Sequence, residues 1–190
     1  RRSSSTIAMP EKLPSRFVHR LSADAELRKA CLIEPLAVSI RGVNKLLSHD
    51  HKGPQRVGVL GFGTIGNFCA QLMKFKGHHV TVFDKNQRRL DFLKNKAIAG
   101  SRKIQNFKDF DVIIEATGSE KVLEKILREK NVDSMTLLLG FPYGNINYNF
   151  EDLVGQERTI IGSVGADYMD FEKALELLPQ LDTSNFTKVV

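Results

Sequence analysis

A chain of 190 residues with 42% hydrophobic and 26% charged side chains has the balance of a globular protein, which excludes a disordered tail or a fibrous repeat. The net charge of +6 and isoelectric point near 9.4 raise the question of a nucleic-acid partner; yet the cations at Arg1, Arg16, Lys74, Arg88, Lys103, Lys121 and Lys173 are scattered, so solvated surface is the reading and no nucleic acid is expected. Cys31 and Cys69 form no C-x-x-C pattern, and no apolar run reaches the roughly 18 residues that span a bilayer; the expectation is a reduced, cytoplasmic protein with no membrane partner.

Residues 1–20 mix Ser, Pro and basic side chains and read as irregular or edge structure, and the start at Arg1 suggests processing or a piece of something longer. Over 24–47, Leu27 and Cys31, then Leu36, Ile40, Val43 and Leu47, are spaced by three or four to make one apolar helical face. Pro35 divides this stretch into two helices with Glu34 at the junction, because proline disfavours helical geometry in the residue before it. On that face Cys31 is expected in the core, as Cys69 is further on. Residues 48–54, with Gly53-Pro54, read as a loop.

The rhythm then alternates. Strands are predicted at 57–60, 80–83, near 103–104, at 111–115, 136–139 and 159–163, and helices at 64–76, after Asp84, at 119–129 and at 168–178. Such alternation predicts an α/β fold: a Rossmann-type doubly wound parallel sheet with helices on both faces and every strand's C-terminal end on one rim.

Gly61-Phe62-Gly63-Thr64-Ile65-Gly66 matches G-x-G-x-x-G between the first such strand and its helix. Gly61 permits the tight turn, Gly63 leaves no side chain where a diphosphate approaches the backbone, and Gly66 lets helix and strand pack closely. The amides opening the helix then face the phosphate charge. Asp84 lies 18 positions after Gly66, near the separation at which a carboxylate reaches the adenosine ribose, which favours NAD over NADP. Lys85, Arg88 and Arg89 beside the acid would balance an added phosphate, so NADP stays open.

The wider pattern resembles the zinc-containing medium-chain alcohol and polyol dehydrogenases of sorbitol and glucose type. The resemblance rests on the stretch from Cys31 to Val38 with Glu34-Pro35, the glycine loop, Asp84, Glu115-Ala116-Thr117-Gly118, Leu139-Gly140-Phe141-Pro142 and Ile161-Gly162-Ser163-Val164-Gly165 followed by Asp170-Phe171. It implies that Thr117, Gly118, Gly140, Phe141, Ser163 and Val164 line the nicotinamide half of the groove, with Ala116 and Lys85 also at the cofactor, that Arg89 contacts the adenosine ribose, and that Glu34 stands at or beside a catalytic zinc. The same resemblance implies hydride transfer between NAD and an alcohol or polyol, and a homodimer.

The family's main zinc ligands, a Cys and a His in an N-terminal β-rich catalytic domain, have no counterpart in this sequence. Residues 1–50 are therefore expected to be an N-terminal segment and helices linking to a catalytic domain missing from the chain, with 51–190 as the NAD-binding domain, and zinc only in a complete enzyme. The chain alone is expected to bind cofactor without turnover. Two alternatives remain: a non-catalytic dinucleotide-binding module, and a zinc-free quinone or enoyl reductase, which Glu34-Pro35 and Asp84 disfavour.

Overall fold

The computed structural model describes residues 18–19, 21, 27–49, 53–93, 97–104, 106–130, 133–141, 143–184 and 186. The expectations for 1–17, for a helix over 24–26, for 50–52 of the loop and for Pro142 fall outside these residues. In chain order the elements are α1 (Leu27–Ala30), α2 (Ile33–Leu47), β1 (Arg56–Leu60), α3 (Thr64–Phe75), β2 (His79–Phe83), α4 (Gln87–Leu90), β3 (Ala99–Ser101), β4 (Val112–Glu115), α5 (Glu120–Arg128), β5 (Met135–Leu138), α6 (Phe150–Gly155), β6 (Thr159–Gly162) and α7 (Tyr168–Leu177). Among the described residues no helix is long and apolar enough to cross a membrane.

The strands form one parallel sheet in the order β3-β2-β1-β4-β5-β6, as expected of a Rossmann-type fold. The order reverses between β1 and β4, so a crevice opens at the C-terminal ends of those two strands. Register sets its floor: Leu60 is level with Phe83 on one side and Glu115 on the other.

Strand periodicity divides the core. Val57, Val59, Val112, Ile114 and Leu137 face one side, where Leu36, Ile40, Val43 and Leu46 of α2, Phe68, Leu72 and Met73 of α3 and Ala174 and Leu177 of α7 pack. Leu60 and Ile113 face the other, against Phe107 and Ile126. Each fully buried aliphatic or aromatic side chain contributes roughly 1.5–3 kcal/mol. Arg41 of α2 reaches Asp167 at 2.8 Å and Asp170 at 3.3 Å, joining α2 to the capping box that starts α7. At the other face Arg158 is buried and donates to the Ile126 and Leu127 carbonyls at 3.1 and 3.0 Å, and to that of Glu129. Those acceptors close α5, where a cation also meets the negative end of the helix dipole.

Several sequence expectations shift. The helical stretch breaks at Cys31-Leu32 rather than at Glu34-Pro35, and Pro35 is the third residue of α2, where its missing N–H has no intrahelical acceptor to lose. The turn turns Cys31 outward: it is exposed, not core, whereas Cys69 is buried and its thiol is pushed up to about 12 by that burial, against a lowering contact from Ser39. The third strand pairs at Ala99–Ser101, before the predicted 103–104. Helix α6 was not predicted, because none of its residues is buried and its sequence carries no apolar period.

Candidate functional site at the sheet switch point

The glycine turn is held by the sheet. Gly61 has φ +89°, a conformation open to glycine, and its amide donates to the Phe83 carbonyl at 2.8 Å. A Cβ at Gly66 would lie 1.9 Å from the Gly61 carbonyl oxygen, so α3 can sit this close to β1 only without a side chain there. A Cβ at Gly63 would meet nothing within 4 Å. That space stands over the start of α3, whose first amides have no partner within the helix and which has no side-chain cap. An open, donor-rich helix start attracts an anion.

Asp84 closes the floor beside this turn. Its side chain is 5% exposed and accepts from the Phe62 and Asn86 amides at 2.8 Å each and from Arg89 at 3.2 Å. Burial pushes the carboxyl up, but those two amides and Arg89 outweigh it and hold the group below the usual aspartate range. The result is a fixed carboxylate beneath a crevice of about 550 Å³.

Of the residues expected at the cofactor, Gly61, Gly63, Asp84, Lys85, Arg89, Ala116 and Thr117 line that crevice. Phe62 is buried and serves through its amide, while Thr64, Ile65 and Gly66 form the first turn of α3 behind it. Gly118, Gly140 and Phe141 meet in a second cluster at the ends of β4 and β5, where a Cβ at Gly140 would fall 2.2 Å from the Gly118 nitrogen and one at Gly118 2.9 Å from the Phe141 nitrogen. Ser163 and Val164 follow β6; the Ser163 amide donates to the Leu138 carbonyl at 3.2 Å, and the Val164 side chain is 86% exposed.

Sequence reasoning missed the cations that complete the crevice, Arg102, Lys103, Lys121 and Lys125, because they are scattered along the chain. It also missed the role of Glu115, which is fully buried in β4. Its Oε1 accepts from the Thr117 amide at 2.8 Å and from the Thr117 hydroxyl, and its Oε2 from the Gly118 amide at 3.3 Å and the Tyr143 hydroxyl at 2.5 Å. A lone acid ending the apolar run Val112-Ile113-Ile114 was the available signal. Nothing in the sequence marked Tyr143.

Glu34 is exposed in the first turn of α2. Among the described residues no three His, Cys, Asp or Glu side chains gather where they could hold a metal ion. The donor set present there does not fit a zinc site, which needs at least three protein ligands.

Comparison with known proteins places the chain in a family. A family model described as "Glucose dehydrogenase C-terminus" matches residues 27–190. Glucose 1-dehydrogenase 1 of Vulcanisaeta moutnovskia is 30% identical over 159 residues, 75% of this chain and 45% of that protein. Sorbitol dehydrogenase of Halalkalibacterium halodurans is 30% identical over 178 residues, 85% of this chain and 50% of that protein. A solved glucose dehydrogenase mutant from Haloferax mediterranei superposes with a TM-score of 0.75 at 20% identity, over 92% of this chain and 55% of that one. The chain thus spans about half the length of the curated relatives it matches. With its matched residues running through every strand and the glycine turn, the chain belongs to the glucose dehydrogenase C-terminus family.

Proposed function

We propose that this chain is the coenzyme-binding part of a zinc-type medium-chain dehydrogenase that moves hydride between NAD(H) and a small alcohol or polyol. The observation that carries the reading is the vacant space over Gly63, next to an open helix start and level with the fixed Asp84 carboxylate. Bound there, the cofactor's nicotinamide ring would accept or give the hydride. The amides of α3 would hold its diphosphate, and Asp84 and Arg89 would face the adenosine ribose. Ala116, Thr117, Gly118, Gly140, Phe141, Ser163 and Val164 would frame the nicotinamide half.

Residues 51–190 are proposed as the coenzyme domain and 1–50 as the link to a catalytic part. This is a division of role, since α2 shares its buried face with α3 and α7. Zinc enters the proposal only through that catalytic part, with Glu34 at most a lone carboxylate beside it. The cytoplasm, with its supply of nicotinamide cofactors, is the proposed setting. Pairing of two copies is proposed along β6, which among the described residues has a sheet neighbour on one side only.

Calorimetric titration of the chain with NADH and NAD tests the reading: micromolar to millimolar binding without alcohol oxidation is expected. A chain that binds neither dinucleotide refutes it. Binding with no turnover, even when joined to a zinc-bearing catalytic part, would favour the non-catalytic module instead.

A further inference from the structure

The adenosine side of the groove and its diphosphate turn are built on β1, β2 and β3. The other half of the rim depends on two loops, 116–119 after β4 and 139–149 after β5. Their only shared anchor among the described side chains is the Glu115 carboxylate. Its backbone carbonyl also accepts from the Leu139 and Gly140 amides at 2.9 and 3.0 Å, so one residue gathers both loops through both of its acceptor groups.

We infer that Tyr143 is a positioning residue for the nicotinamide half of the proposed site, acting through its hydroxyl on Glu115. The inference rests on the reading of the groove as a nicotinamide dinucleotide site. Three observations carry it. The hydroxyl stands 2.5 Å from Glu115 Oε2, at the point where a Cβ on Gly140 would come within 2.4 Å of the same oxygen. The Gly118 and Phe141 main chains are in contact beside it, so displacement of either loop displaces the other. The Phe141 side chain is 90% exposed and Gly144 lies at φ +73°, so the loop is not held by burial of its own apolar groups. The phenol is the polar tie between that loop and the sheet rim. Burial and the adjacent Glu115 carboxylate raise its pKa, the Gly140 amide pulling the other way, so it stays a donor across the ordinary pH range.

Tyr143 itself is not among the residues that line the crevice over Asp84, and this separates it from a general structural role. NADH and ADP-ribose share the diphosphate turn and the Asp84 floor; only NADH extends over β4 and β5. In calorimetric titrations Tyr143→Phe, which keeps the ring, weakens NADH roughly fivefold, as expected for one lost half-buried hydrogen bond. ADP-ribose binding stays within about twofold of wild type, because no contact on its side is lost. Glu115→Gln, which also disturbs the Thr117 contacts beside Gly61, weakens ADP-ribose as well as NADH, and adding Tyr143→Phe to it costs less than Tyr143→Phe costs alone, since the two residues share a hydrogen bond. Parallel weakening of both ligands in Tyr143→Phe, or no change in NADH, overturns the inference. Wild-type chain that binds neither ligand removes the reading beneath it, and the inference with it.

Discussion

The last two glycines of the turn, Gly63 and Gly66, separate binding from folding. Gly66→Ala puts a methyl 1.9 Å from the Gly61 carbonyl oxygen, about 1 Å inside the closest approach that unbonded atoms tolerate. That oxygen belongs to backbone held by the Gly61 amide on Phe83 and by β1 between β2 and β4, so α3 must move instead. Overpacking of this kind costs about 3 kcal/mol, the upper end of the usual range, a sizeable part of a stability of roughly 5–15 kcal/mol. Gly63→Ala meets nothing within 4 Å and sits at φ −76°, which alanine adopts freely. A small gain in chain stiffness offsets a small loss of helix capping, so its stability stays within about 1 kcal/mol of wild type. Its methyl occupies the space proposed for the diphosphate, and NADH affinity falls at least tenfold, the equivalent of about 1.4 kcal/mol. Urea unfolding and NADH titration of both variants provide the readout. A Gly63→Ala chain that binds NADH as wild type does, or a Gly66→Ala chain of undiminished stability, would refute the reasoning.

Replacing Arg158 by Met removes the donors that satisfy the closing carbonyls of α5, and the urea midpoint is expected to drop by the equivalent of roughly 2–4 kcal/mol; a loss below about 0.5 kcal/mol would mean that water replaces the guanidinium. Asp84→Ser removes the carboxylate from the groove floor and shifts the NADH-to-NADPH affinity ratio toward NADPH by about tenfold, whereas an unaltered ratio would show that Asp84 does not discriminate. Acid sensitivity follows from the same residue. The folded Asp84 carboxyl titrates below its unfolded value of about 3.9, so its stabilising contribution is complete above pH 4 and is lost as pH falls through the folded value. Asp84→Asn should flatten the stability profile below about pH 4 relative to wild type, with Asp111, lowered by Arg56, and Asp167, lowered by the Asp170 amide and Arg41, supplying acid dependence that remains.

The sheet and its glycine turn were legible because each depends on a local pattern. Continuous apolar runs such as Val57–Leu60, short, rich in Val and bounded by turn residues, have the pattern of strands buried on both faces, and three glycines at fixed offsets after one of them leave few uses other than a tight turn. The elements that shifted lack such a pattern. Strand β3 is Ala-Gly-Ser, and Gly100 is set by closeness to Leu93, where a Cβ would lie 2.8 Å from its Cδ1. That is a tertiary fact with no sequence signature. The local marks of α6 are Asn149 capping the Glu151 amide at 3.1 Å and the acids Glu151 and Asp152 in its first turn. The site divided in the same way: glycines and Asp84 could be named in advance, while Tyr143 could not, because its partner lies 28 residues away and no motif links them.

Arg41 couples parts of the chain that are synthesised far apart in time. Its partner Asp167 comes 126 residues later, and α7 supplies much of the apolar cover over α2. During translation, at roughly 5–20 residues per second, the greasy side of α2 would wait many seconds for its final neighbour. Until then α3 shields it only in part, so apolar surface of this long helix stays open to water while the rest of the chain is made.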